Sequence, residues 1–142
     1  MSYRNYPYDD NLLLKASAAV TSSAAGSLIL DLGDAICEGV VVIDVSAIDT
    51  TSNDEQYEIF AQGSPDSGFG TAANIVELCS IQIGDNTPKR TDADGTDTTG
   101  RYILHFRNER NGTVYRYFRL YTAVAGTTPT ITYKAWASKV RS

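Results

Sequence analysis

The chain is poor in the residues from which most catalytic and metal sites are built. Its 142 residues include one histidine, His105, one tryptophan, one methionine and two cysteines, Cys37 and Cys79, which have neither CxxC spacing nor a histidine close by. Such a set lacks the ligands of a Cys/His zinc site and the framework of a disulfide scaffold, so two free thiols are expected. The P-loop, GxGxxG, GxSxG and HExxH patterns are missing too, and an enzyme is not expected. No apolar run approaches the roughly 20 residues that cross a bilayer. No basic segment followed by an apolar one stands at the N-terminus, and the expectation is a chain made and kept soluble inside a cell, with no membrane partner. Cations are missing from half the chain: between Ala16 and Pro88 there is no Lys or Arg, while eleven acids fall from Asp31 to Asp85. The net charge of −5 argues against a nucleic-acid partner, because duplex binding is dominated by neutralising phosphates. The asymmetry allows one acidic and one basic face, or two sets of charges that interleave in space; the sequence leaves both open.

What is present describes a β protein. Hydrophobic residues make up 42% and charged residues 20%, a globular balance, and a domain of this length buries roughly two-thirds of the surface its unfolded form exposes. Thr, Val, Ile, Tyr and Gly recur in short alternating runs between turn residues. The segment Met1–Asn11, with Tyr3, Tyr6, Tyr8 and Pro7, has no apolar period of either kind and reads as an extended arm, suited to laying flat rings on another surface or back on its own domain. Residues 12–142 read as one domain. Strands are expected around Lys15–Thr21, Leu28–Leu32 and Gly39–Ile48, the last with Val41, Ile43, Val45 and Ala47 on one face and Val40, Val42, Asp44 and Ser46 on the other. Gln56–Gln62 alternates as a half-buried strand, Ile75–Ile83 is a strand of ambiguous parity, and Thr130–Val140 closes the chain with Ile131, Tyr133, Ala135 and Ala137 against Thr132, Lys134, Trp136 and Ser138. Gly63–Ala73 and the longer Gly84–Thr99 are loops.

The stretch Gly100–Val124, GRYILHFRNERNGTVYRYFRLYTAV, has the strongest local signal. Two runs of aromatic and β-branched residues flank Asn111-Gly112, the dipeptide that most readily takes the positive φ angles of a type I′ turn, and they read as two long paired strands. Tyr102, Leu104, Phe106, Val114, Phe118 and Leu120 are assigned to the core. Arg107, Arg110, Tyr115, Arg116, Tyr117, Arg119 and Tyr121 form an Arg/Tyr set left outside or at an interface, since both residue types are enriched at protein–protein hot spots. The alternative is that they pair with each other and with cross-strand acids.

Three smaller motifs carry little. Asp92-Ala-Asp94-Gly-Thr-Asp97 resembles half of a calcium loop without the rest of its ligand pattern. His105, Arg107 and Glu109 share a strand spacing that suits a general base with an orienting acid, but no nucleophile is identifiable. Asn111-Gly112-Thr113 matches a glycosylation sequon and is read as the turn alone. Seven or eight strands with no helix long enough for a parallel crossover mean an all-β, antiparallel two-sheet sandwich: an eight-stranded jelly roll, or an immunoglobulin-like sandwich as the alternative.

Beyond these patterns, the wording DNLLLKASAAVTSSAAG, LDLGDA followed by GVVVIDVSAID, the Gly100–Val124 stretch and the closing ITYKAWASK resembles the small jelly-roll cement, or decoration, proteins of tailed-bacteriophage capsids of the Bordetella-type short-tailed phages. The likeness runs from about Asp10 to Lys139 and consists of framework residues. It implies a jelly roll on the outside of an icosahedral shell, made in the bacterial host cytoplasm. Its partner would be an HK97-like major capsid protein, whose subunits it clamps together. Self-association would be as a homodimer, or as a homotrimer in the alternative, with no cofactor, no metal and no catalytic residues. Candidate contact residues are Tyr3, Tyr6, Tyr8, Arg107, Arg110, Tyr115, Arg116, Tyr117, Arg119 and Trp136. A second reading is a virion-attached carbohydrate-binding module in which exposed Tyr and Trp136 stack on sugar rings.

Overall fold

The computed structural model describes residues 8–52, 54–84 and 98–139. Tyr3, Tyr6 and the Asp92–Asp97 run lie outside them. The described chain opens with a 3-10 turn, Asp10–Leu12, whose first amides are met by Asp9: its carboxylate accepts the Asn11 N–H at 2.9 Å. All longer elements are strands. They are β1 (Leu13–Val20), β2 (Ala24–Ala25), β3 (Leu30–Asp31), β4 (Glu38–Ile48), β5 (Gln56–Ser64), β6 (Val76–Ile83), β7 (Gly100–Arg107), β8 (Glu109–Arg110), β9 (Thr113–Val114), β10 (Tyr117–Ala125) and β11 (Ile131–Lys139).

Two antiparallel sheets form the sandwich. One has the order β1-β11-β4-β7, the other β2-β10-β5-β6, with β3 also on β10. Taking β2 and β3 as one interrupted strand and setting aside the short β8–β9 ribbon, the strands run 1-8-3-6 in one sheet and 2-7-4-5 in the other, the order of a jelly roll. The immunoglobulin-like alternative is thereby excluded. Alternation on each strand explains the core: Val41, Ile43 and Val45 from β4, Tyr57, Ile59 and Ala61 from β5, Leu104 and Phe106 from β7, Phe118 and Leu120 from β10, and Ile131, Tyr133, Ala135 and Ala137 from β11 form one buried cluster. Tyr133 places its hydroxyl in this layer and shares a hydrogen bond with Thr122 of the facing sheet. Burial pushes the Tyr133 hydroxyl up to about 12.

The expected long hairpin over Gly100–Val124 is absent. Asn111 and Gly112 do take positive φ, 53° and 85°, but the ribbon they close is only β8 on β9. β7 pairs with β4 and β10 with β5, so the two runs belong to opposite sheets. The cause is Asn108, fully buried where a strand residue was expected. Its side chain accepts the Cys37 N–H at 2.7 Å and donates to the Ala35 carbonyl at 3.1 Å, while its own carbonyl takes the Tyr115 N–H at 2.7 Å. The chain is turned there from one sheet to the other. Val114, assigned to the core, is half-buried in the ribbon and outside the core cluster.

β6 shows why its parity was ambiguous. Gln62 faces Glu77 and Ala61 faces Cys79, so Leu78 is an extra residue in a bulge, and Leu78, Cys79 and Ile81 all pack on the core. Both cysteines are free thiols, and burial raises the Cys79 thiol to about 11.

Candidate functional site

The candidate contact residues divide between the two outer faces of the sandwich. Trp136 lies on β11 between core residues Ala135 and Ala137, so its ring points to the outer face of the first sheet. There it joins Val40 and Val42 in a second small cluster, with Ile103 packed against it. Tyr8 covers the ring edge-on, centroids 5.3 Å apart. The Lys134 ammonium stands 3.9 Å from the Tyr8 ring centre, and the Arg101 guanidinium 5.2 Å from that of Trp136. The Tyr8 hydroxyl donates to the Asp10 carboxylate, which raises the tyrosine's pKa. The described end of the arm therefore packs on its own domain. Trp136 is only 4% exposed, which corrects its reading as an open stacking platform: apolar Val40 and Val42 beside it and Tyr8 above it take the ring out of solvent.

The Arg/Tyr set lies mostly on the second sheet. With Phe118, Leu120 and Thr122 of β10 turned inward, Tyr117, Arg119 and Tyr121 form a half-buried row on its outer face. Arg119 donates to Gln62 Oε1 at 2.9 Å and stacks 4.2 Å from the Phe69 ring centre. Phe69 is itself buried at a positive φ of 51°, so the loop after β5 is fastened beneath this arginine. Tyr115 sits against Gly63, where any Cβ would come within 2.8 Å of the tyrosine's own Cβ.

The cations are matched by carboxylates far away in sequence. Arg116 makes two 2.8 Å bonds to Asp31 and lies 3.6 Å from Asp34. That contact, with the Gly33 N–H, holds the Asp31 carboxyl down at about 2. Arg101 grips Asp44 at 2.7 and 2.9 Å, and Arg107 joins Glu109 at 2.9 Å and also Glu38. Arg110 donates to the Glu77 carbonyl at 3.1 Å. The interleaved arrangement thus prevails over separate acidic and basic faces. Being exposed, each such pair contributes at most about 1 kcal/mol, so these contacts fix surface geometry while the core supplies stability.

A cleft of about 500 Å³ lies at the end of β7, lined by Glu38, Leu78, His105, Phe106, Arg107 and Glu109 among others. Its lining contains no hydroxyl, thiol or amine nucleophile, and Arg107 ties up both carboxylates. Among the described residues no group of three or more His, Cys, Asp or Glu side chains is placed to hold a metal ion. Sequence reading missed Asn108, Phe69 and Glu55. The Glu55 carboxylate, 1% exposed, closes its turn by accepting the Ser52 and Asp54 amides at 3.0 and 3.3 Å. A polar residue interrupting an aromatic run was the only signal for Asn108.

A comparison with models of known protein families and with curated protein sequences finds no match.

Proposed function

We propose that this protein is a capsid cement protein of a tailed bacteriophage, bound to the outside of an icosahedral shell and bridging neighbouring subunits of an HK97-like major capsid protein against internal DNA pressure. The observation that carries this reading is the strand order 1-8-3-6 over 2-7-4-5, the jelly roll that the resemblance of Asp10–Lys139 to such proteins implies. The contact surface in this reading is the outer face of the second sheet, where Tyr117, Arg119 and Tyr121 form a row held rigid by Gln62 and Phe69. Rigid aromatic area lowers the entropy cost of each contact, and many copies on one shell raise overall binding without new contact types. Because Arg116 is already matched by Asp31 and Asp34, binding rests on aromatic contact more than on net charge. The carbohydrate-binding alternative loses its best platform with the burial of Trp136.

The test is co-sedimentation with heads of the same phage stripped of this protein. The unaltered chain pellets with the heads, and Tyr117→Ala with Tyr121→Ala pellets at least tenfold less while its unfolding midpoint stays within a few degrees. Equal pelleting by the folded double variant would move the contact elsewhere, and no pelleting of the unaltered chain would overturn the reading.

A further inference from the structure

Open sheets must protect their edges, because an unpaired row of N–H and C=O groups invites another strand. Three of the four edges here carry a protecting device. On β1, the pairing with β11 is broken by two register shifts, and Lys15 folds over the edge to donate to the Ala16, Ala18 and Tyr133 carbonyls at 3.2, 2.8 and 3.1 Å. On β6, the Leu78 bulge interrupts the strand and Arg110 donates to the Glu77 carbonyl. The opposite edge of that sheet consists of β2 and β3, two residues each.

β7 has none of these. It pairs with β4 without a register shift from Gly100 to Arg107, contains no proline, and among the described residues has no strand on its other side. The direction of its free groups follows from Asn108, which continues the same register opposite Cys37 and donates its N–H to the Cys37 carbonyl at 3.1 Å. Hydrogen-bonded pairs alternate along an antiparallel ladder, so Phe106, Leu104 and Tyr102 also bond β4. Arg101, Ile103, His105 and Arg107 therefore direct their N–H and C=O groups outward.

We propose that the β7 edge is a self-association surface, on which β7 of a second copy docks antiparallel about a two-fold axis to join the two four-stranded sheets into one. The register that uses every outward group sets Ile103 opposite His105 of the second copy and Arg101 opposite Arg107 of the second copy. The charges suit that register. Arg107 is held by two carboxylates, Glu38 and Glu109, and this surplus acid meets Arg101, which has Asp44 alone. A two-fold contact is self-complementary, so each pair occurs twice. Ile103, already against Trp136 and Val42, carries the outer apolar cluster up to the seam. The surface is separate from the Tyr117 row and does not depend on the capsid reading.

Sedimentation velocity of the full chain tests it. The unaltered protein sediments as a dimer. His105→Pro deletes an outward N–H at an exposed position and leaves the β4 ladder intact, a place where proline is tolerated; it sediments as a folded monomer, as does Ile103→Pro. His105→Ala keeps the N–H and stays dimeric. Amide exchange of the unaltered chain gives a second readout: Ile103 and His105 amides exchange at least tenfold more slowly above the dimerisation midpoint than below it. A monomer at every concentration, a folded His105→Pro dimer, or protection appearing on β1 or β6 in place of β7 would each overturn the proposal.

Discussion

The rings of Phe106 and Phe118 lie 4.5 Å apart at an interplanar angle of 36°, one from each sheet. Twelve positions apart in sequence, they meet across the core and not side by side within a hairpin. Phe118 is fully buried and Phe106 nearly so, which makes this pair the contact that joins the two halves of the Gly100–Val124 stretch.

Phe118→Ala removes one ring from a core closed on both sides. The expected loss is about 3–5 kcal/mol, from transfer and cavity terms together. Urea unfolding would show a lower midpoint with an unchanged slope, and a loss below about 1 kcal/mol would mean that the rings do not hold the sheets.

Asn108→Ala leaves the Cys37 amide and the Ala35 carbonyl without their partner. Stranding buried polar groups costs about 1–3 kcal/mol each, so a loss on the order of 2–4 kcal/mol is expected. Chemical denaturation measures it. A neutral effect would mean that Asn108 is not what turns the chain between sheets.

The strands were legible because their side chains alternate, and the type I′ turn because Asn-Gly takes positive φ cheaply. What lay beyond reach was pairing. Leu104 and Phe106 on one run and Phe118 and Leu120 on the other present the same inward faces whether the runs lie side by side or face to face, and Asn108 looks like any polar residue in a strand. The Arg101–Asp44 and Arg116–Asp31 pairs join residues 57 and 85 positions apart, which no local pattern reveals. Trp136 shares its alternation with Thr132, Lys134 and Ser138. Only the pairing of β11 with β4, which brings Val42 opposite it, shows that this face is partly apolar.

The Arg116–Asp31 contact has a pH signature. Asp31 titrates in the folded chain at about 2, below its ordinary 3.8, so its contribution is complete above pH 4 and lost as pH falls toward 2. Asp49, Asp54, Asp66 and Glu109 are lowered in the same direction by amide, hydroxyl or guanidinium donors. Thermal unfolding between pH 7 and pH 2 should show a falling midpoint. Arg116→Ala should be less stable at pH 7, with the difference shrinking as Asp31 is protonated. A difference that grows toward low pH would contradict the assignment.

Trp136 is the single tryptophan and reports on its cover. Tyr8→Ala should shift its emission to the red and raise quenching by acrylamide while the unfolding midpoint changes little, because Tyr8 itself is 45% exposed. Unchanged emission would mean that Tyr8 does not shield the ring in solution.

The most direct test of the cement reading is the temperature at which filled heads release their DNA, measured on heads stripped of this protein, on the same heads with the purified chain restored, and on heads given the Tyr117→Ala, Tyr121→Ala variant. Restoration by the unaltered chain should raise the release temperature by several degrees and the variant should not. An identical release temperature with and without the unaltered chain would contradict the reading.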